Sequence, residues 1–241
     1  MCAMYAFMRY CDDLSDGEGI PDRAAAIAKW REDLASALAG ELPRHPVWPA
    51  FVDAVAKYRI PHQYFFEMID GVSSDLEPRR IQTFEELYGY CYRVASVVGL
   101  TIIHIFGFHD PRALELAEKC GIAFQLTNIL RDVREDTQKN RVYLPAEDLE
   151  RFGVSMPFWR DQAFLNLMEF EAQRAREYYR ESAPLVEMID AKSRASLRAL
   201  IGIYSRLLAR IVDSDYDVLA RRIRVPTWQK LWLLVSARFS G

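Results

Sequence analysis

Apolar residues recur with the period of an α-helix along most of this chain, and this regularity constrains the fold more than any other feature. Long segments place apolar side chains three or four positions apart, and the 11 glycines and 11 prolines fall mostly between those segments. No segment shows the convincing alternation of apolar and polar residues that is typical of a half-buried strand. The sequence therefore predicts an all-α protein, a helical bundle with short connections.

Helix-capping signals place the boundaries of the predicted helices. Asp22 precedes a helical segment that stops at Gly40, Thr83 and Glu86 are spaced as a capping box, and Asp110 is an N-cap followed by a first-turn proline. The predicted helices cover residues 1–16, 22–39, 83–108, 111–138, 157–181, 184–213 and 226–239, and a further helix opens at Pro61.

Composition excludes several classes of protein. The 241 residues are 51% hydrophobic, which suffices for one large globular domain and excludes general disorder. The 31 Lys and Arg against 34 Asp and Glu give a net charge of −3, so the chain lacks the basic field that nucleic-acid binding needs. The four cysteines form no CxxC pair, which predicts buried thiols in a reducing compartment.

Localisation is predicted from two segments. The first ten residues lack the pattern of a secretory signal, so the protein is expected to be cytoplasmic. The longest apolar run, residues 94–108, is shorter than the roughly 20 residues that span a bilayer, and it predicts a helix buried in the protein.

The first acidic segment is DDLSD over residues 12–16, a DDxxD pattern on a predicted helix. Asp12 and Asp16 lie about 40° apart around the helix axis, and Tyr5 and Arg9 share their stripe. Two carboxylates on one stripe suit a shared divalent cation, and the arginine suits the anion that the cation carries. A solvated helix end gives the same pattern, so this segment alone leaves both interpretations open.

A second polar face lies on a later predicted helix. Gly121, Gln125, Asn128, Asp132 and Asp136 advance by four, three, four and four residues, so they share one narrow face among apolar neighbours. Buried amides and carboxylates need partners. A metal held by the two aspartates would supply them, and so would hydrogen bonds to another helix.

Two acidic faces on separate helices favour a cluster of cations between them, because facing carboxylates repel each other. Magnesium prefers oxygen ligands and retains waters that phosphate oxygens can replace, so the natural ligand is a diphosphate bridged to both faces. Arg9, Arg131, Arg134 and Arg141 are candidate contacts to that anion, although an ordinary surface ion pair is the favoured interpretation of Arg134.

Small and apolar residues predict a channel beside this site. Small side chains leave space between helices, and larger apolar side chains line that space with hydrocarbon, which suits a long apolar tail joined to a diphosphate. Core packing is the alternative for each residue taken singly. The small residues are Ala95, Gly99, Ala117 and Gly121, and the lining residues are Val94, Val98, Phe124 and Leu126.

Three segments of the chain resemble one known family, the squalene/phytoene synthases, which are head-to-head prenyl transferases. The first aspartate-rich motif of the family is similar to YAFMRYCDDLSD, its central helix to YCYRVASVVGL, and its second motif to QLTNILRDVREDTQKNRVYLPAEDLERFGV. The similarity runs from about Tyr5 to the C-terminus and weakens after Phe152. It implies one domain over residues 1–241, a helical bundle of the isoprenoid-synthase type with a central cavity that binds two prenyl diphosphates and three magnesium ions.

The resemblance also implies roles for the matching residues. Carboxylates and one amide bind metal, arginines meet diphosphate, and other side chains lie near the reacting allylic carbons or line the channels for the prenyl tails. The implied metal ligands are Asp12, Asp16, Asn128, Asp132 and Asp136; the diphosphate contacts are Arg9, Arg131 and Arg221; Arg9 is counted as catalytic together with Tyr5, Gln125, Tyr143 and Tyr204, which lie near the reacting carbons; and the channel residues are Val94, Val98, Gly99, Ala117 and Gly121.

The implied reaction is a magnesium-dependent 1′-1 condensation of two identical C15 or C20 prenyl diphosphates through a cyclopropylcarbinyl diphosphate. The product is a hydrocarbon of the phytoene, dehydrosqualene or squalene type, and NADPH is needed only for squalene. Phytoene or dehydrosqualene chemistry is favoured because nothing in the chain resembles a nucleotide-binding signature. The alternatives are a squalene-pathway synthase and, from another class, a non-catalytic assembly or binding protein on the same fold.

The two ends of the chain carry one expectation each. Members of the family have roughly one further helix and a Ser-Phe lid segment before the first motif, and this chain is expected to lack both. The segment over residues 221–239 mixes five basic residues with Trp228, Trp232 and Phe239, a composition suited to a membrane interface. It predicts peripheral contact with the inner face of a membrane, and a docked C-terminal helix is the alternative.

Overall fold

The computed structural model describes residues 1–16, 20–76 and 79–238, apart from the side chain of Asp16, and over these ranges the protein is all-α, as predicted. Its α-helices are α1 (Cys2–Asp16), α2 (Arg23–Leu38), α3 (Trp48–Tyr58), α4 (Gln63–Ser73), α5 (Phe84–Cys91), α6 (Val97–Phe106), α7 (Arg112–Gln138), α8 (Ala146–Phe152), α9 (Gln162–Ser182), α10 (Leu185–Met188), α11 (Ala191–Asp213) and α12 (Thr227–Ser236). A π-helical segment, Tyr92–Ser96, joins α5 to α6.

The predicted helix starts have the capping bonds that the sequence indicates. The Asp22 carboxylate accepts the Ala25 N–H at 2.8 Å at the start of α2. At the start of α5, the Thr83 hydroxyl accepts the Glu86 N–H at 3.3 Å, while the Glu86 carboxylate accepts the Gln82 N–H at 2.8 Å. Thr83 is therefore the N-cap that the sequence predicts, while Glu86 bonds the residue before the cap instead of the Thr83 N–H of a regular capping box.

The structure departs from the predicted helices in three places. It contains two further helices, α3 and α8, which are too short to give a strong periodic signal. The helix predicted from residue 157 begins at Gln162, because Asp161 is extended and its carboxylate accepts the Phe164 N–H. The helix predicted over residues 184–213 is divided into α10 and α11 by Ile189, which is also extended.

The central helix and α7 organise the bundle around them. The central helix, Phe84–Phe106, comprises α5, the π-helical segment and α6, and it packs against α4 and α7, while α7 also packs against α9 and α11. A Cβ atom on Gly121 of α7 would lie 2.5 Å from the Cα atom of Ser96. Glycine is therefore required at this crossing, where two helix backbones approach each other closely.

The central helix is 23 residues long and, by length and composition alone, is apolar enough to cross a membrane. The core helix of a soluble protein passes the same test. In this structure the helix lies within the bundle, where 39% of its most apolar window is buried. Its length exceeds the predicted apolar run because the segment before Val94 is also helical.

Three of the four cysteines have the predicted environment. Cys11, Cys91 and Cys120 are buried free thiols, and burial raises the pKa of Cys11 and of Cys120 to about 12. The prediction for Cys2 is wrong, because this residue is exposed in the first turn of α1.

Candidate active site

A polar cavity of about 660 Å³ lies between α1 and the end of α4. Tyr5, Arg9 and Asp12 of α1 line it together, as their shared stripe predicts, and Asp75 lines it from the loop after α4. The Arg9 guanidinium pairs with Asp13 at 2.8 Å, so the positive charge of Arg9 lies beside an acidic side chain of α1. Acidic oxygens and an arginine therefore line the same cavity.

An apolar channel of about 460 Å³ adjoins the polar cavity, and four residues line both: Tyr5, Val94, Val98 and Tyr204. The five channel residues that the family resemblance implies, Val94, Val98, Gly99, Ala117 and Gly121, all line it, and so do Ala95 and Phe124. The other lining residues are mainly hydrocarbon and come from the central helix, α7, α10 and α11. They include Ile102, Ile103, Cys120, Leu185, Leu197 and Leu200, together with the polar Gln125 and Asn128.

Leu126 does not line this channel and instead has the core-packing position that the sequence left open for each of these residues. The side chain is 2% exposed and belongs to the apolar core around α5, α7 and α9. It lies about 100° around α7 from Gln125, which faces the channel, and this rotation directs it to the other side of the helix.

The polar face of α7 continues from the channel towards the acidic residues. Nδ2 of Asn128 donates to the side-chain Oε1 of Gln125 at 3.3 Å, while Oδ1 of Asn128 is buried without a hydrogen-bond partner. Asp132 is bound by two arginines, with Nε of Arg131 at 2.8 Å and Nε of Arg222 at 2.9 Å. Burial, and then the charge of Asp132, raise the pKa of Asp136 to about 7.

The predicted metal ligands line different parts of this space: Asp12 lines the polar cavity and Asn128 the apolar channel, whereas Asp132 and Asp136 line neither. The oxygen donors nevertheless suit a hard divalent cation. The open Oδ1 of Asn128 and the carboxylates of Asp12, Asp132 and Asp136 are the ligand type that magnesium prefers. Within the described ranges, His, Cys, Asp and Glu side chains form no group of three that could hold a metal unaided. The side chain of Asp16, another predicted ligand, lies outside the described part of the chain.

A basic cavity of about 580 Å³ lies where α7, α11 and α12 meet. Arg131, Arg222, Arg224 and Lys230 line it, and Tyr204 connects it with the other two cavities. Sequence reasoning predicted Arg131 as an anion contact, but it assigned Arg222, Arg224 and Lys230 to a membrane-interface segment and not to an anion site. Four cationic side chains around one cavity suit an anion of high charge.

The predicted diphosphate contact Arg221 faces away from this cavity. Its Nε pairs with Asp217 at 3.1 Å, and its side chain is 68% exposed. The neighbouring Arg222 takes the position beside Asp132. The favoured surface interpretation of Arg134 agrees with its exposure and with its bond to the Ala220 carbonyl.

Tyr143 lies behind the polar cavity rather than on its wall. Its side chain is buried, its hydroxyl donates to Asp75 Oδ1 at 2.8 Å, and its ring stacks on Tyr90. Sequence reasoning missed Asp75, because a single aspartate in a loop after a helix carries no periodic signal. Tyr204, by contrast, reaches all three cavities and stacks on Phe124 with ring centroids 4.3 Å apart.

Comparison with known proteins decides the family. The family model for squalene/phytoene synthase matches residues 1–229. The chain belongs to this family. The 15-cis-phytoene synthase of Synechococcus elongatus is 37% identical to this chain, over 98% of the chain and 82% of the relative.

Two solved structures agree with this assignment. A dehydrosqualene synthase in complex with a ligand has a TM-score of 0.90 and 31% identity, covering 98% of this chain and 84% of its own. The squalene synthase HpnC from Alicyclobacillus acidocaldarius has a TM-score of 0.83 and 28% identity, covering 89% and 82%. The predicted isoprenoid-synthase fold is confirmed, and so is the prediction of a head-to-head prenyl transferase.

Proposed function

We propose that this squalene/phytoene synthase condenses two identical C15 or C20 prenyl diphosphates through a cyclopropylcarbinyl diphosphate and releases diphosphate. The observation that carries the proposal is the apolar channel, which opens at Tyr5 and Tyr204 onto a polar cavity with Asp12 and a basic cavity with Arg131. A substrate with a hydrocarbon tail and a highly charged head matches both parts of this space.

The residues of the chain have separate tasks in this reaction. Asp12, Asn128, Asp132 and Asp136 are the side chains that would hold magnesium, which supplies charge neutralisation and makes diphosphate a better leaving group. The basic cavity binds and orients diphosphate. The apolar walls exclude water from the allylic cation until the double bond of the second substrate attacks. The ring faces of Tyr204 and Phe124 stabilise positive charge in the channel.

The product that we propose is a hydrocarbon of the phytoene or dehydrosqualene type. A relative named 15-cis-phytoene synthase and a structure titled dehydrosqualene synthase both support this product class. The similarity to a squalene synthase supports the alternative, a squalene-pathway enzyme that makes presqualene diphosphate or uses NADPH. Incubation with C15 or C20 diphosphate, with and without NADPH, distinguishes the products by the chain length and saturation of the extracted hydrocarbon.

The test of the acidic site is an Asp132→Asn variant. We expect it to lose hydrocarbon formation by at least a hundredfold while its circular dichroism remains that of the wild type. Asp215→Asn is the matched control, because Asp215 also pairs with an arginine, Arg160, but is exposed away from the three cavities. Chelation of divalent cations should abolish wild-type activity, and added Mg²⁺ should restore it. Full activity of Asp132→Asn would favour a non-catalytic role for the acidic face.

Peripheral membrane contact through α12, on the cytoplasmic face of a membrane, is the second part of the proposal. Leu233 of α12 packs towards Gly202 of α11, yet Trp228, Leu231 and Trp232 are each more than half exposed. Exposed tryptophans next to basic residues such as Lys230 suit the interface of an anionic bilayer. Because the product of the proposed reaction is apolar, an enzyme in contact with a membrane lies next to the phase in which that product dissolves.

Co-sedimentation with phosphatidylglycerol vesicles tests this surface. We expect the Trp228→Ser/Trp232→Ser variant to bind at least fivefold more weakly than the wild type. Trp159→Ser is the control, because Trp159 is 71% exposed in the loop between α8 and α9. Equal binding by all three proteins would exclude α12 as the contact.

A further inference from the structure

Asp75 connects the polar cavity with two buried tyrosines. It lies two residues after α4, its backbone N–H donates to the Val72 carbonyl at 3.1 Å, and its side chain lines the polar cavity together with Arg9 and Asp12. Each of its carboxylate oxygens accepts a different phenol: Oδ1 accepts the Tyr143 hydroxyl at 2.8 Å, and Oδ2 accepts the Tyr90 hydroxyl at 3.1 Å. Each carboxylate oxygen therefore accepts one hydrogen bond from a buried tyrosine and keeps a second lone pair.

The two tyrosines form one rigid unit behind Asp75. Their side chains are 4% and 6% exposed, and their rings stack with centroids 4.8 Å apart and planes inclined by 20°. Tyr90 belongs to α5, whereas Tyr143 follows α7. The central helix and the segment after α7 therefore both hold Asp75.

Backbone contacts hold the same segments together. The Arg141 guanidinium donates to the Asp75 carbonyl at 2.6 Å. The Val142 N–H donates to the Arg79 carbonyl at 3.0 Å, and the Ala146 N–H donates to the Ile81 carbonyl at 2.9 Å. The segment after α7 therefore docks on the segment between α4 and α5, and Asp75 is the member of this contact that reaches the polar cavity.

We propose that Asp75 is a positioning residue for the reaction, which acts through Tyr90 and Tyr143 to fix the separation between the α1 and α7 acidic faces. Helix α1, which carries Asp12, packs against α4, and Asp75 follows α4 by two residues; Asp136 lies at the end of α7 from which Tyr143 continues. A diphosphate bridged to both faces requires a constant distance between them, since misplacement by about 1 Å costs on the order of a hundredfold in rate. The inference rests on the proposed function, because it assigns the bridged ligand.

A double-mutant cycle on Asp75 and Tyr143 is the test. We expect Asp75→Asn and Tyr143→Phe each to lower kcat per folded molecule at least tenfold and to raise KM as well, because both the bound and the reacting geometry depend on the separation of the two faces. The double variant should be no slower than the slower single variant, because both changes break the same contact. Effects on kcat that multiply, or an Asp75→Asn variant within twofold of the wild type, would overturn the proposal.

The matched control is another buried tyrosine that donates to a carboxylate. Tyr216 is 5% exposed and donates to Glu169, away from the three cavities. Tyr216→Phe should lower the melting temperature about as much as Tyr143→Phe, while kcat stays within twofold of the wild type. Equal losses of kcat in Tyr216→Phe and Tyr143→Phe would show a general effect of stability and would overturn the assignment.

A binding measurement separates this inference from the proposed function. Calorimetry with inorganic diphosphate and Mg²⁺ should show at least tenfold weaker binding to Asp75→Asn than to the wild type or Tyr216→Phe. A wild type that makes no hydrocarbon but binds diphosphate at least tenfold more tightly than Asp75→Asn would contradict the proposed function and still support the positioning role of Asp75. Unchanged diphosphate binding by Asp75→Asn would overturn the positioning role, whatever the activity.

Discussion

Two adjacent arginines show how strongly the place of a side chain decides its part in a site. Arg222 pairs with Asp132 and lines the basic cavity, whereas Arg221 pairs with Asp217 and is 68% exposed. A charge-assisted hydrogen bond to a diphosphate contributes about 1.5–3 kcal/mol, and about 1.4 kcal/mol corresponds to a factor of ten in binding. The two positions should therefore differ in substrate affinity.

We expect Arg222→Gln to raise the KM for prenyl diphosphate at least tenfold, and Arg221→Gln to leave it within about twofold. Steady-state kinetics on the two variants checks this difference directly. A larger increase in KM for Arg221→Gln than for Arg222→Gln would make Arg221 the diphosphate contact, as the family resemblance predicts.

Residues on one helix face were accessible to sequence reasoning, and residues in contact across loops were not. Tyr5, Arg9 and Asp12 line one cavity because four residues advance an α-helix by little more than one turn. The partners of Asp75 lie 15 and 68 positions away, and no local spacing encodes either separation. The choice between Arg221 and Arg222 depends on how the chain turns after α11, which periodicity does not describe.

At the scale of elements, the crossing of α7 over the central helix depends on Gly121. We expect Gly121→Ala to destabilise the protein by about 1–3 kcal/mol, because the new methyl group would lie 2.5 Å from the Cα of Ser96 and neither backbone can move freely. Gly89→Ala is the matched control, since the α5 position of Gly89 has no heavy atom within 4 Å of a new Cβ.

The control change should stabilise the protein by up to about 1 kcal/mol, because alanine has the higher helix propensity. Urea denaturation of the two variants measures both free energies of unfolding. A Gly121→Ala variant as stable as Gly89→Ala would refute the requirement for a glycine at this crossing.

Long helices were predicted well because their ends carry capping residues and their length averages over several turns. The 27-residue helix α7 follows its predicted bounds closely. Helices α3 and α8 have 11 and 7 residues, so only a few apolar positions could reveal them. The break between α10 and α11 needs one extended residue, Ile189, whose identity is compatible with a helix. Such short elements depend on tertiary packing rather than on local pattern.

At the scale of the whole molecule, a buried charge cluster links stability to pH. Arg174 of α9 bonds to Glu171 at 2.8 Å and to Asp148 of α8 at 2.9 Å, and all three side chains are at most 15% exposed. Burial raises the pKa of Glu171 from its usual 4.5 to about 7. Between these two pH values the folded state keeps a proton that the unfolded chain releases, so the contribution of Glu171 to stability is complete below pH 4.5 and is lost as the pH rises through 7.

The free energy of unfolding of the wild type should therefore fall more steeply with rising pH than that of Glu171→Gln. We expect the two curves to differ in their change between pH 5 and pH 7.5 by on the order of 2 kcal/mol. Urea unfolding at several pH values measures this difference. Parallel curves would mean that Glu171 does not retain its proton in the folded protein.

The π-helical segment Tyr92–Ser96 has a further consequence for the channel. A π turn accommodates about one residue more than an α turn, as if one residue had been inserted into a regular helix. Deleting one residue there would restore an unbroken α-helix and rotate every later position of α6 by about 100°. Val98 and Gly99 would leave the channel wall, and a different set of side chains would replace them. The π-helical turn thus determines which face of α6 lines the channel.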